Sequence, residues 1–269
     1  MQKTNKFNDF LLFLQLIYKN IIKKDMVYIY NGTKIYYKFY NKVSLKPVLL
    51  LHGWGSSGEV FKDLIAKFPE KSFLTVDFPP FGKSDKYPKN WNVFTYVGML
   101  MSLLDYLHID KCDIVGHSFG GRIAIILSAV KCSLVQSCIL VDSAGMKPKH
   151  NLSYYYKIYN YKLRKKLGKS VLNMGSSDYL SLSPEMKKTF NSIINTNLEE
   201  YCQRMPVKTL IVWGEKDKET PIYMAKRLNK KIRNSRIYII KGAGHFCFLD
   251  CPFEFYKVVR DFWEEIWYM

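Results

Sequence analysis

Apolar positions along the chain follow two periods. Short apolar runs rich in β-branched and aromatic residues alternate with stretches in which apolar residues recur at helical spacing. The runs predict strands at 47–51, 72–77, 112–116, 136–142, 207–214 and 236–240, preceded by a β-rich pair within 26–40. In that pair Asn31-Gly32 separates the two runs, and Asn-Gly tolerates the positive φ of a type I′ hairpin turn. The helical stretches are 58–68, 92–107, 120–130, 221–230 and 252–267. A hairpin followed by strand–helix alternation predicts the α/β class: a mostly parallel sheet of about eight strands with helices on both faces. The fully apolar strands fit burial on both sides.

The alternation breaks once. Between 146 and 204 the chain runs through "KPKHNLSYYYKIYNYKLRKKLGKS" and further helical-looking segments. About 60 residues between two strands is too long for a loop, so this stretch is expected to be an inserted helical cap. The core is then 26–145 and 205–269. Residues 1–25 form a third segment. At 100° per residue, Phe7, Phe10, Leu11, Leu14, Ile17, Tyr18, Ile21 and Ile22 share one face of it, although Leu12, Phe13 and Leu16 intrude on the polar face. It reads as an imperfect amphipathic helix, either packed on the domain or lying on an anionic membrane surface. It lacks the small-residue cleavage site of a signal peptide.

Composition narrows the classes. With 48% apolar residues in 269, the chain can bury a substantial core. No run of about 18 apolar residues marks a membrane span. Lys and Arg number 41 against 23 Asp and Glu, a net charge of +18. That charge fits an acidic partner, such as an acyl carrier or an anionic membrane surface. It fits better the AT-rich coding bias that enriches Lys, Asn, Ile and Tyr. No nucleic-acid-binding motif is present, so nucleic acid is not an expected partner. The six cysteines show no CxxC pairing and read as free thiols in a reducing compartment, which makes the cytoplasm the expected location. Cys247 and Cys251 near His245 lack a fourth ligand, and no metal is expected.

Two nucleotide-type patterns occur. Gly53, Gly55 and Gly58 follow a predicted strand as G-x-G-x-x-G, and Asp77 ends the next strand nineteen residues after Gly58. This is the spacing of a dinucleotide fingerprint. Gly82-Lys83-Ser84 has the ending of a P-loop, but the first glycine of that motif would be Asp77, and Pro79 and Pro80 remove amides that should cradle phosphate. Both lose to a third pattern. Gly116-His117-Ser118-Phe119-Gly120 is a G-x-S-x-G directly between a predicted strand and helix. Its small flanking residues permit a strained turn that projects the serine Oγ. The Phe119 N–H then sits at a helix start, where it can stabilise an oxyanion. A serine nucleophile needs a base and an orienting carboxylate. Asp217 follows the strand "LIVWG", and His245 follows the last strand in a glycine loop. Asp142, at the strand end in "VDSAG", is the alternative acid.

In order along the chain, HGWG (52–55), DFPPFGKSD (77–85), GHSFGG (116–121), WGEKDKETP (213–221) and GAGHF (242–246) resemble the motifs of the α/β-hydrolase-fold enzymes. The resemblance runs from residue 26 to the end and omits the N-terminal segment and the cap. It implies a capped serine esterase with Ser118, Asp217 and His245 as its triad, acting on a small-molecule acyl substrate without a cofactor. It also implies that the Trp54 amide forms the second half of the oxyanion hole beside that of Phe119, and that Asp77 is structural. The family commonly has Pro-Gly where this chain has Pro79-Pro80. The loop HGWGSSGEVF is similar to that of pimeloyl-carrier-protein methyl ester esterases. Lactonases, C–C bond hydrolases, peroxidase-like members and aminopeptidases share the same motifs, so the motifs leave the substrate open. Among single residues, His52 is expected to hold the oxyanion loop and His117 to pack or hydrogen-bond locally. Tyr154 and Tyr155 of the cap, with Phe246 beside His245, are the candidate substrate-pocket residues.

Overall fold

The computed structural model describes residues 26–41, 43–86, 91–147, 159, 163 and 182–267. The expected N-terminal helix, most of the expected cap, and Tyr154 and Tyr155 lie outside the described residues.

The hairpin opens the fold. Strands β1 (Met26–Tyr30) and β2 (Thr33–Tyr40) pair antiparallel with Tyr30 opposite Thr33. Asn31 and Gly32 both take positive φ (47° and 78°), as a type I′ turn requires. Next come β3 (Val48–Leu51), a single 3-10 turn over Gly58–Phe61, α1 (Lys62–Lys67) and β4 (Phe73–Val76). They are followed by α2 (Val93–Tyr106), β5 (Cys112–His117), α3 (Phe119–Val130) and β6 (Val135–Val141). After the insertion come α4 (Pro184–Asn195), α5 (Glu199–Arg204), β7 (Lys208–Gly214), α6 (Tyr223–Lys231) and β8 (Ser235–Ile240). Two final helices, α7 (Cys247–Asp250) and α8 (Pro252–Trp267), end the described chain.

The eight strands form one sheet in the order β1-β2-β4-β3-β5-β6-β7-β8. The β1–β2 and β2–β4 pairs are antiparallel, and every pair from β4 to β8 is parallel. Alternate side chains of the parallel strands feed two cores. Leu49, Leu51, Ile114, Leu140 and Ile211 pack under α2, α3 and α6. Val48, Leu50, Val115, Ile139 and Val212 pack under α1 and α8. Each such side chain, fully buried, contributes roughly 1.5–3 kcal/mol. This burial on both faces is why the strands read as unbroken apolar runs. Helix α3 is buried from Phe119 to Ala129, with α5 laid over its outer side. No described helix is long and apolar enough to cross a membrane.

Two local expectations are revised. The stretch 58–68 is a 3-10 turn leading into a short helix, not one continuous helix. Gly58 N–H is tied to Asp77 Oδ1 at 2.7 Å, and a Cβ on Gly58 would stand 2.6 Å from Thr75 Cβ, so the start of the segment is pinned against β4. The short helix α7 was not legible, because it begins inside a glycine loop closed by Asp250 Oδ2 accepting from Gly244 N–H at 2.7 Å.

Strand order places the site. From β3 the chain moves to β4 on one side, then returns to β5 on the other. This reversal opens a crevice at the C-terminal ends of β3 and β5, where ligands of open α/β sheets bind. There α3 starts so close to β3 that a Cβ on Gly120 would collide with the Leu51 carbonyl oxygen. Neither partner of that clash is a flexible side chain. Gly120→Ala is therefore expected to lose stability at or beyond the upper end of the roughly 1–3 kcal/mol that overpacking costs. The urea midpoint measures it. Gly242→Ala is the control: its φ of 76° is strained for alanine but its Cβ would meet nothing within 4 Å, so the loss should be near 1–2 kcal/mol.

Candidate active site

Ser118 stands between β5 and α3 with φ 49° and ψ −112°, a conformation that costs on the order of 1–3 kcal/mol. Its neighbours hold it there. Ser118 N–H donates to Val141 O at 3.1 Å, and Ser118 O accepts from Gly121 N–H at 3.1 Å and Ala144 N–H at 3.0 Å. The flanking glycines leave the room. A Cβ on Gly116 would lie 2.8 Å from Gly120 O, and one on Gly121 would collide with Ser143 Oγ.

His245 is brought to the serine by the loop after β8. A Cβ on Gly214, at the end of β7, would collide with Gly244 O, so this glycine lets the β8 loop cross over it. Lys216 N–H donates to Ala243 O at 2.8 Å and fixes the crossing. His245 Nε2 then lies 3.0 Å from Ser118 Oγ, and His245 Nδ1 lies 2.9 Å from Asp217 Oδ2. The three residues predicted as a triad form one hydrogen-bonded chain.

Asp217 is itself constrained. Oδ1 accepts from Glu219 N–H at 2.8 Å and Thr220 N–H at 2.9 Å, and Oδ2 accepts from Thr220 Oγ1–H at 2.6 Å. Burial, the largest single influence, raises its pKa, but the hydrogen bonds from His245 and Thr220 outweigh it and the net shift is downward. For His245 burial again acts most strongly and favours the neutral ring. The hydrogen bond and charge of Asp217 outweigh it, so the pKa stands above 6.5. Thr220 is a residue the sequence reading did not single out. Its signal was present in Asp217-Lys218-Glu219-Thr220, the spacing at which an aspartate caps its own turn.

Asp142 takes a different place. Its Oδ1 accepts from Gly214 N–H at 2.7 Å and its Oδ2 from Cys247 N–H at 3.1 Å. It ties the ends of β6 and β7 to α7, and burial pushes its pKa up to about 7. Asp217, not Asp142, bonds the imidazole.

Two other histidines are structural. His52 Nε2 accepts from Phe78 N–H at 2.8 Å, so Nδ1 carries the proton and donates to Gly53 O at 2.7 Å. The ring is fully buried, which pushes its pKa down to about 4, and it holds the loop Gly53–Gly55 as expected. His117 Nε2–H donates to His245 O at 2.8 Å, and burial followed by the nearby His245 takes its pKa to about 3. It fixes the His245 backbone while staying uncharged.

Both nucleotide-type patterns dissolve in the geometry. Asp77 spends Oδ1 on Gly58 N–H and Oδ2 on Lys83 N–H at 2.8 Å. Lys83 lays its ammonium 4.8 Å over the Tyr36 ring, and Ser84 Oγ–H donates to Asp77 O at 2.6 Å. These groups knit β4 to its own loop.

A cavity of about 820 Å³ opens over Ser118 and His245. Trp54, Phe81, Phe119, Met186, Phe190 and Ile193 form its apolar walls, and the expected pocket residue Phe246 lines it as well. The Trp54 ring meets Phe81, Phe119 and Phe190 edge-on at 4.9–5.6 Å, which joins the β3 loop, α3 and α4. Such rings add about 0.5–1.5 kcal/mol per pair beyond their burial.

Sheet order, serine turn and the strand ends that carry Asp217 and His245 together identify the architecture. The chain has the α/β-hydrolase fold. The family model described as alpha/beta hydrolase fold matches residues 46–154. An uncharacterised hydrolase of Bacillus subtilis, YugF, is 26% identical over 80% of this chain and 89% of its own length. The pimeloyl-[acyl-carrier protein] methyl ester esterase of Neisseria meningitidis is 22% identical over 83% of this chain and 78% of its own. Among solved structures, a mutant of the meta-cleavage product hydrolase CumD from Pseudomonas fluorescens superposes with a TM-score of 0.69 at 20% identity, over 89% of this chain and 97% of that one. At this level of identity the likeness to CumD establishes the α/β-hydrolase fold and nothing finer.

The electrostatics predict a titration. By NMR, the His245 ring should show a midpoint above 6.5. Asp217→Asn removes the main influence that raises it, so the midpoint should fall below the wild-type value while His117 stays uncharged throughout. A midpoint unmoved by Asp217→Asn would contradict the pairing.

Proposed function

We propose that the protein is a serine hydrolase that cleaves a carboxylic ester through an acyl-enzyme. The observation that carries this reading is the unbroken chain from Ser118 Oγ to His245 Nε2 (3.0 Å) and from His245 Nδ1 to Asp217 Oδ2 (2.9 Å) at the floor of the cavity.

Neutral His245 takes the Ser118 proton as Oγ attacks the ester carbonyl. Asp217 stabilises the imidazolium that results. The carbonyl oxygen becomes an oxyanion facing the Phe119 and Trp54 amides. Phe119 begins α3, so its N–H has no intrahelical acceptor. The Trp54 amide sits on the loop that His52 holds. Donors fixed in advance at the developing charge supply a large part of such catalysis. Collapse of the tetrahedral adduct breaks the ester C–O bond, and His245 returns its proton to the departing alkoxide. Water, deprotonated by His245, then attacks the acyl-enzyme, and Ser118 leaves as the restored hydroxyl. Helix α4 supplies Met186, Phe190 and Ile193 to the cavity wall, where they would meet the acyl part of the substrate.

The test is hydrolysis of p-nitrophenyl esters from C2 to C16. Ser118→Ala should lower kcat/KM by on the order of 10³-fold or more. The wild-type rate should fall on the acid side as His245 gains its proton, with the limb's midpoint above the ordinary histidine value of 6.5. Absence of both turnover and fluorophosphonate labelling at Ser118 would refute the reading. Labelling without turnover would keep the nucleophile and move the search to lactones, C–C substrates or carrier-bound esters.

A further inference from the structure

Arg122 lies one helical turn beyond Ser118 on α3, and only 4% of it is exposed. No carboxylate among the described residues pairs with it. Its Nη1 donates to Thr196 O at 3.2 Å and its Nη2 to Ile194 O at 3.3 Å, both at the C-terminal end of α4. Those carbonyls carry only the partial negative charge of a helix end. A guanidinium offers five N–H donors, and two of them have acceptors among the described residues. Burial without a counter-ion is costly for a cation, and burial alone pulls its pKa down to about 10, so it stays charged at neutral pH. Arg122 also lines the cavity over Ser118, where it is the only Lys or Arg among the described lining residues. The cavity's one carboxylate among those residues, Glu219, is exposed and sits on the Asp217 turn.

We propose that Arg122 selects acyl substrates whose far end carries a carboxylate. The inference rests on the serine-hydrolase reading for where the ester lies, and it adds what the acyl chain must present. A guanidinium fork matches a carboxylate with two parallel hydrogen bonds, and desolvation strengthens that pair. Four residues of helix place Arg122 about 6 Å along the axis from Ser118. The substrate is therefore a short half-ester of a dicarboxylic acid. Its ester carbonyl sits at Ser118, its methylenes lie against the aromatic wall, and its free carboxylate meets the guanidinium.

The alternative role is a clamp that only ties α4 to α3, and binding measurements separate the two. Full-length Ser118→Ala protein is titrated calorimetrically with monomethyl glutarate and with its neutral counterpart, dimethyl glutarate. The half-ester is expected to bind about ten-fold or more tightly than the diester. Adding Arg122→Gln should abolish that preference while leaving diester affinity within about two-fold, and Arg122→Lys, which keeps the charge but not the fork, should retain part of it. If Arg122→Gln fails to fold, the wild-type preference and its partial loss in Arg122→Lys still decide. Equal affinity for the two ligands, no binding of the half-ester, or an equal loss of both in the Arg122 variants would overturn the proposal. Ser118 is absent from this assay, so a failure of the hydrolase reading would appear separately, as missing ester turnover and missing fluorophosphonate labelling in the wild type.

Discussion

The backbone turn at Ser118 is the constraint on which the other parts depend. A left-handed serine survives only where the surroundings over-determine it. Here that means three packed layers meeting at one point. β5 delivers the residue between β3 and β6, α3 departs at once, and the glycines at 116, 120 and 121 remove every Cβ that would push those backbones apart. The same closeness makes the site. Because α3 begins against the end of β3, its first amide and the loop after β3 face one crevice. Two strand ends further along, at β7 and β8, are then within reach of the serine. Relaxing the turn would save a little local strain and scatter groups supplied by four different strands.

Charge is handled around this point by giving each buried ionisable group a distinct set of partners. The three histidines show it. His52 is locked between a backbone N–H and a backbone C=O, and His117 donates to a backbone carbonyl in the core, so burial keeps both neutral. His245 alone has a carboxylate on Nδ1, and it alone is shifted toward holding a proton. The two nearby aspartates divide in the same way. Asp142 is satisfied by backbone amides and pushed up by burial, while Asp217 has an imidazole and a hydroxyl and is shifted down. Type of residue is common to each set; the partner decides the direction in which each member's pKa moves.

This distinction marks what could be read from sequence. Strands buried on both faces announce themselves as apolar runs, and the hairpin turn as Asn31-Gly32, because local sterics and burial dictate them directly. Ser118, Asp217 and His245 were legible because each needs a particular residue type at a strand end. Thr220 was legible only through the turn that Asp217 caps, and Arg122 was not. Thr220 gains its role from Asp217 three residues earlier, and Arg122 looks like one polar break in an otherwise apolar helix. Only the approach of the C-terminal end of α4 to Arg122 shows that the buried guanidinium faces two carbonyls. The short helix α7 escaped for a similar reason, since its start is set by tertiary bonds from Asp142 and Asp250 and not by a periodic pattern of its own.

The glycine-rich segment after β3 shows why spacing alone misleads. A dinucleotide loop and this loop share one requirement, that backbone amides approach an acceptor with no side chain in the way. They differ in where the acceptor comes from. Here the chain supplies its own at one end: Asp77 fills the space beside Gly82 and accepts from the Gly58 and Lys83 amides, leaving them nothing to offer a phosphate. At the other end the Trp54 amide has no acceptor among the described residues. An acidic residue nineteen positions after Gly58 therefore closes the nucleotide possibility that its spacing suggests, while Trp54 at the other end lines the cavity over Ser118.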